Sequence, residues 1–337
     1  MQFTTPVDIP KSSIPISHSD RIALIGSCFA DNIGQMLADC KFNTIQNPFG
    51  TLYNPSSIAW LIERSIDGIP FSSQSDEIFQ DEGGRWHSWI HHSKYSCASA
   101  EELVIKMNLA GSAMAETLKT AGVLIVTFGT SIIYTLKNTK KLVANCHKQK
   151  DSLFERRMLT TEEITRQWTG LIRKLHEQNP GLRIILTVSP IRHQRDGMHV
   201  NQLSKGTLLL AVDDIISRAN SLTAKPQVEY FPAYEIMMDE LRDYRFYADD
   251  MTHPSPIAIQ YIWERFADTY FNKDTKILCS QCQQIQKALN HKTDNPESPA
   301  YKSFIERTLQ QIETIRKQHP QIRMDKEIEI CNTRLRK

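Results

Sequence analysis

The sequence predicts a three-layer α/β/α sandwich on a parallel sheet, followed by a helical C-terminal extension. Three observations predict it. Short runs at 21–26 (RIALIG), 122–128 (GVLIVTF), 182–188 (LRIILTV) and 227–231 (QVEYF) are almost continuously apolar. Strands covered on both faces read this way, whereas half-exposed strands alternate. Longer stretches of helical period separate these runs, the pattern of a parallel sheet with crossover helices. Beyond residue 274 the chain turns polar and rich in Lys, Gln and Glu while keeping a helical period.

In chain order, the first strand, 21–26, ends in Gly26-Ser27-Cys28 and runs into a helix over 28–39. Helices follow at 55–66 and 100–120. Between them 72–98 lacks periodicity and reads as a long loop or small hairpin. The strand at 122–128 ends in Gly129-Thr130-Ser131, and a helix at 160–177 follows. The strand at 182–188 ends in Ser189-Pro190-Ile191-Arg192-His193. A helix at 204–221, a strand at 227–231 and a helix at 233–242 complete the alternation. The stretch SPIAIQYIWERFADTYF from 255 reads as an amphipathic helix with Ile257, Tyr261 and Phe266 toward a core. The tail is interrupted by TDNPESP at 293–299. The expected domains are therefore 1–272 and a helical extension at 273–337.

Composition narrows the function. A chain of 337 residues that is 40% hydrophobic buries a large core. Lys and Arg total 40 against 38 Asp and Glu, which gives no field for nucleic acid or an anionic membrane. The opening MQFTTPVDIPKSS has no basic region followed by an apolar run, and no apolar run reaches transmembrane length. Seven scattered cysteines fit reduced thiols in a cytoplasm. The expectation is a soluble cytoplasmic protein with no nucleic-acid or membrane partner. No oligomeric state follows from the sequence.

In a parallel sheet the site lies beyond the carboxyl ends of the strands, which directs attention to the polar loops there. Ser27 and Cys28 stand at a helix start, where unpaired N–H groups and the helix dipole favour a thiolate and an oxyanion. The same residues also suit a capping serine and a small buried filler. Near the far end, YADDMTHPSP at 247–256 holds Asp250 three residues before His253. That spacing in a turn lets the carboxylate take the imidazole Nδ1–H and fix its tautomer.

Eight segments in order carry a resemblance: GSCFA at 26–30, NPFGTLYNP at 47–55, TFGTSIIY at 127–134, ANCHK at 144–148, SPIRH at 189–193, YFPAYEI at 230–236, LRDYRFY at 241–247 and DDMTHPS at 249–255. Together they resemble the GSCFA-domain family, placed within the SGNH (GDSL-like) hydrolases, over roughly residues 5–270. The resemblance implies a flavodoxin-like sandwich and acyl-ester chemistry, with a sugar or glycan O-acyl ester as the expected small-molecule substrate and no metal or organic cofactor. It aligns Cys28 with the usual nucleophilic serine and Ser27 with the usual aspartate. Cys28 is preferred because it sits nearer the helix start, and Ser27 is the alternative. Asp250 and His253 match the last block intact. The resemblance makes Gly50 an oxyanion donor. The usual Asn of the third block is missing after Gly129, so Ser131 or Asn145 is expected to replace it. An acyltransferase using the same triad and an inactive binding protein on this scaffold are the alternative functions.

Other motifs have plainer readings. HSWIH at 87–91 spaces two histidines as in a zinc helix but puts Ser88 where such proteases need Glu. His92, Arg192 and His193 are expected to contact substrate. Arg242 and Arg245 suit an anion clamp or ion pairs tying down the last loop. Cys279-Ser280-Gln281-Cys282 lacks two further ligands at zinc spacing. Cys146 and His147 are neighbours in the chain, and adjacent residues seldom face each other.

Overall fold

A computed structural model describes residues 4–13, 15–221, 227–291 and 293–336. Its order is β1 (Arg21–Gly26), α1 (Cys28–Asp39), β2 (Asn43–Gln46), α2 (Pro55–Ile66), the hairpin β3 (Ile78–Gln80) and β4 (Trp86–Ser88), and α3 (Ala100–Thr120). β5 (Val123–Phe128) leads to three short strands, β6 (Ile132–Leu136), β7 (Leu142–Val143) and β8 (Phe154–Met158). α4 (Thr161–Gln178), β9 (Arg183–Val188), α5 (Met198–Asn220) and β10 (Val228–Tyr230) follow. Then come the short α6 (Ala233–Glu235), α7 (Pro256–Tyr270), and the tail helices α8 (Lys273–Asn290), α9 (Pro299–Gln318) and α10 (Asp325–Arg336).

Among the described residues the main sheet is five-stranded and parallel, in the order β10-β9-β5-β1-β2. Numbered along the chain this is the 2-1-3-4-5 order of flavodoxin-like sheets, and it reverses between β1 and β5. The loops leaving β1 and β5 therefore flank the crevice.

Alternate strand residues enter opposite layers. Ala23, Ile25, Leu124, Val126, Ile184 and Leu186 pack with α2 to α5, while Ile22, Leu24, Val123, Ile125 and Ile185 pack with α1 and α7. This two-sided burial explains the continuous apolar runs. The tail has its own apolar cluster, including Leu278, Ile285, Ile305, Ile312 and Met324. The Lys41–Glu327 ion pair, 2.5 Å, ties it to the end of α1.

Several elements differ from expectation. β2, reading NTIQ, is a half-buried edge strand too polar to stand out. The segment 72–98 contains the β3–β4 hairpin, and 132–158 folds into the antiparallel β7-β6-β8 sheet. α5 starts at Met198 rather than 204. After α6 the chain continues as a π-helical turn, Ile236–Glu240, which ends before 242. Ile257 stands 70% exposed in the first turn of α7, whose core face is Ala258, Ile262, Trp263, Phe266 and Tyr270. Among the described residues no helix is long and apolar enough to cross a membrane.

Candidate active site

The β1 corner is built around glycine. Gly26 has φ +140°, and a Cβ there would lie 2.1 Å from the Thr127 carbonyl oxygen on the neighbouring strand. Its N–H donates to Asn47 Oδ1 at 2.8 Å, and Asn47 Nδ2 donates to Asp31 Oδ1 at 2.7 Å. Asn47 thus fastens the strand exit to the first turn of α1.

The corner separates its two candidate nucleophiles. Ser27 is buried, and its Oγ accepts the Phe29 N–H at 3.3 Å as the N-cap of α1. Cys28 is the first residue of the helix and is half-buried. Burial raises its thiol pKa and Asp31 adds to this, while the Cys28 and Phe29 N–H groups and Lys205 pull it down.

A locally determined turn carries the histidine. Asp250 Oδ1 accepts the N–H groups of Thr252 and His253, each at 2.9 Å, and Oδ2 meets His253 Nδ1 at 2.5 Å. These three contacts, led by the His253 N–H, hold the Asp250 carboxyl far below the usual carboxylate range. Met251 in this turn takes φ +57°. The pair is half-exposed. Among the described residues no hydrogen bond links His253 to Ser27 or Cys28.

Two further groups belong to the same end of the sheet, beyond β5 and β9. His193 sets its ring edge-on to Tyr53, centroids 5.6 Å apart, and its N–H donates to Asn201 Oδ1 at 2.9 Å. Burial pushes its pKa down to about 4, with Lys205 and His253 adding to the effect, so it is neutral at pH 7. Lys205 is 1% exposed, and its Nζ donates to the carbonyls of Gly129 and Ser189, both at 2.7 Å.

The sequence reading missed Lys205. Its signal was a lysine on the apolar stripe of α5, in line with Leu208, Val212 and Ile215.

Several expected site residues make hydrogen bonds within the protein. Gly50 closes a tight turn, with φ +81° and its N–H donated to Asn47 O at 2.8 Å, so that N–H is not a free oxyanion donor. Ser131 is fully buried and its hydroxyl donates to Ser204 Oγ at 3.1 Å, binding the β5 exit to α5. Asn145 Oδ1 accepts the His147 N–H at 2.9 Å, and its own N–H donates to Trp89 O at 3.1 Å. Arg192 straps the histidine turn. Its guanidinium donates to Met251 O and lies 4.5 Å from the Tyr247 ring centroid, holding the histidine turn.

His92 does reach this side of the molecule. It packs on Gly50, interacts electrostatically with Asp31, and accepts the Lys94 N–H at 3.2 Å. The other histidines are held apart from any zinc arrangement. His87 bridges Asp81 and Ser96, and His91 is buried against Ser88. Among the described residues no group of three or more His, Cys, Asp or Glu is disposed to hold a metal ion. Cys279 and Cys282 are buried in α8, and Arg245 pairs locally with Asp243 at 3.0 Å.

The GSCFA family model matches residues 21–266, from β1 through the histidine turn into α7. The chain belongs to the GSCFA family. A second model, GSCFA domain protein, C-terminal domain, matches 282–337 and so covers most of the tail. No curated protein matches this GSCFA chain. Among solved structures, the acetyl xylan esterase Est2A from the rumen bacterium Butyrivibrio proteoclasticus aligns over 76% of the chain at 12% identity, TM-score 0.32. The GSCFA chain spans 64% of that esterase's length.

Proposed function

We propose that this GSCFA protein is an acyl-ester hydrolase with Cys28 as nucleophile and His253, oriented by Asp250, as base. The observation that carries the reading is the Asp250–His253 contact. With Nδ1–H held at 2.5 Å by the carboxylate, the Nε2 lone pair is free to accept a proton. The contact belongs to a turn strapped by Arg192, whose backbone N–H also donates to Thr252 O at 3.3 Å just beyond β9. Cys28 is preferred over Ser27 because the serine hydroxyl is engaged as the helix cap. Contacts between nucleophile and base are commonly loose before substrate binds.

The chemistry follows. Cys28 Sγ attacks the ester carbonyl, its proton passes to His253, and His253 returns that proton to the leaving alcohol. The acyl group remains as a thioester. Water, deprotonated by His253, then releases the free acid and restores the thiol. The Cys28 N–H, at the start of α1, receives the oxyanion. The resemblance to SGNH hydrolases makes a carbohydrate O-acetyl ester the first substrate to test.

p-Nitrophenyl acetate and acetylated xylo-oligosaccharides, offered to the wild type and to Cys28→Ala and Ser27→Ala, test the proposal. The expected result is ester cleavage by the wild type and Ser27→Ala, loss in Cys28→Ala, and an acetyl adduct on the Cys28 peptide by mass spectrometry. Retained turnover in Cys28→Ala, or no turnover of any acyl ester, overturns it. Adding sugar acceptors separates free acid from a transferred acyl product.

A further inference from the structure

Two motifs, HSWIH at 87–91 and ANCHK at 144–148, have no part in the proposed reaction, and the fold brings them together. The β3–β4 hairpin and the β7-β6-β8 sheet form a small lobe around an apolar cluster of Trp89, Leu136, Val143 and Phe154. The Ala144 and Asn145 N–H groups both donate to Trp89 O, at 2.7 and 3.1 Å. Histidines stitch the two halves. His147 Nε2 meets Ser88 O at 2.7 Å, and its ring centroid lies 4.8 Å from that of His87 and 5.8 Å from that of Phe79. His91 Nδ1 meets Ser88 Oγ at 2.9 Å, and its buried Nε2 has no partner among the described residues.

The segment after β4 in turn braces the turn beside the glycine corner. The His92 N–H donates to Phe49 O at 3.2 Å, Lys94 Nζ donates to Asn47 O at 3.3 Å, and the Tyr95 hydroxyl donates to Pro48 O. Asn47 is the residue that fastens Gly26 to α1.

We propose that this lobe is an acid-released brace: neutral His147 closes it against the Asn47–Gly50 turn, and a proton on His147 opens it. The step adds one proton from solvent and breaks no covalent bond. The groups facing His147 leave a cation there uncompensated. His87 of β4 is a second imidazole, and its Nε2 already holds Asp81 Oδ2 at 2.8 Å. His91 and His92 face it from the segment after β4, with Arg64 of α2 acting on His91 and Tyr95 packed 4.8 Å from the His91 ring. Glu77, before β3, pairs with Lys141 at 3.2 Å. Among the described residues the histidine ion pairs are His87–Asp81 and His253–Asp250, so no carboxylate pairs with His147. A buried cation in such a place is costly.

The direction with pH follows. Burial pushes the His147 pKa down, and His87 and His92 add to this, while contact with the Ser88 carbonyl opposes it. His91, pushed down to about 3, stays neutral through mild acid. A histidine whose folded pKa lies below its unfolded value of about 6.5 stabilises the closed lobe above that pH. The stabilisation is lost as pH falls from there toward the folded value.

Hydrogen exchange read by peptide mass spectrometry at about pH 7.5 and about pH 5, corrected for intrinsic exchange rates, tests the proposal without any ester turnover. Its outcome is therefore separate from that of the hydrolase reading. In the wild type, protection of 78–92 and 132–158 is expected to fall about tenfold or more in acid, while β1, β5 and β9 stay protected. His147→Gln keeps a donor for Ser88 O and cannot take up a proton, so its lobe is expected to keep its protection at the lower pH. Equal protection of the wild-type lobe at both pH values, or the same acid loss in His147→Gln, overturns the proposal. Should His147→Gln fail to fold, His87→Gln removes the facing imidazole and is expected to move lobe opening to lower pH. An unchanged midpoint in that variant overturns the proposal.

Discussion

The carboxylate of Asp250 grips His253 twice, through the backbone N–H at 2.9 Å to Oδ1 and through Nδ1 at 2.5 Å to Oδ2. One side chain therefore sets both the turn and the imidazole tautomer. Asp250→Asn can keep an acceptor for the backbone but can present an amide N–H to Nδ1, favouring the wrong tautomer. Ester turnover is expected to fall on the order of 10³–10⁴-fold at neutral pH. Steady-state kinetics with circular dichroism check it, and unchanged kcat would remove His253 from the reaction.

Gly26 is placed where no side chain fits. Its φ of +140° and the 2.1 Å separation between a Cβ and Thr127 O strain any substitution and push β1 from β5. Gly26→Ala is expected to lose at least about 2 kcal/mol of stability. Urea unfolding measures it, and an unchanged midpoint would contradict the geometry.

The tail is fastened by a nearly buried ion pair. Lys41 meets Glu327 at 2.5 Å, and Gln286 Nε2 also donates to Glu327 Oε1 at 3.0 Å. Lys41→Met leaves that nearly buried carboxylate without its cation and is expected to cost about 3 kcal/mol, whereas Lys41→Met with Glu327→Leu recovers most of the loss. Thermal melts of the single and double variants decide this. Equal losses in both would show that the charges do not interact.

A pH-dependent contribution is expected from the start of α4. Glu163 completes a capping box with Thr160 and pairs with Arg157, which together push its pKa down to about 2. A folded-state pKa below the unfolded value means stability present above the unfolded pKa and lost as pH falls through about 2. Glu163→Ala is expected to cost about 1 kcal/mol near neutral pH, and the gap to the wild type should narrow in acid. Denaturation at a series of pH values tests the sign, and a gap that widens in acid would refute it.

The strands and helices around the crevice were legible because their burial is simple. β5 and β9 are covered on both faces and so read as unbroken apolar runs. α1, α2 and α3 were legible because each has a side-chain cap and an apolar stripe. β2 and β8 were not, since NTIQ is polar and only half-buried, FERRM is largely solvent-facing, and their strand state comes from pairing rather than composition. Ile257 misled because an apolar residue in the first turn of a helix need not lie on its buried face.

At the site, Ser27, Cys28, Asp250 and His253 were readable as candidates because their surroundings are set within a few residues: a helix start and a four-residue turn. The fate of the expected oxyanion donors was not. Gly50 and Ser131 carry suitable polar groups, and only packing shows that each is already bonded within the protein. Arg192 likewise became a strap only when 247–254 folded beside it.

By itself, the amino-acid order determined the alternating elements, the glycine corner, the capping serine and the aspartate–histidine turn. These depend on backbone torsions and on hydrogen bonds between near neighbours in the chain. Tertiary structure alone decided which polar groups are consumed, how far each ionisable group is removed from water, and that an amine from α5 is buried against carbonyls at the ends of β5 and β9. Burial and electrostatic strength arise from distant segments brought together, so they are absent from any local stretch of sequence.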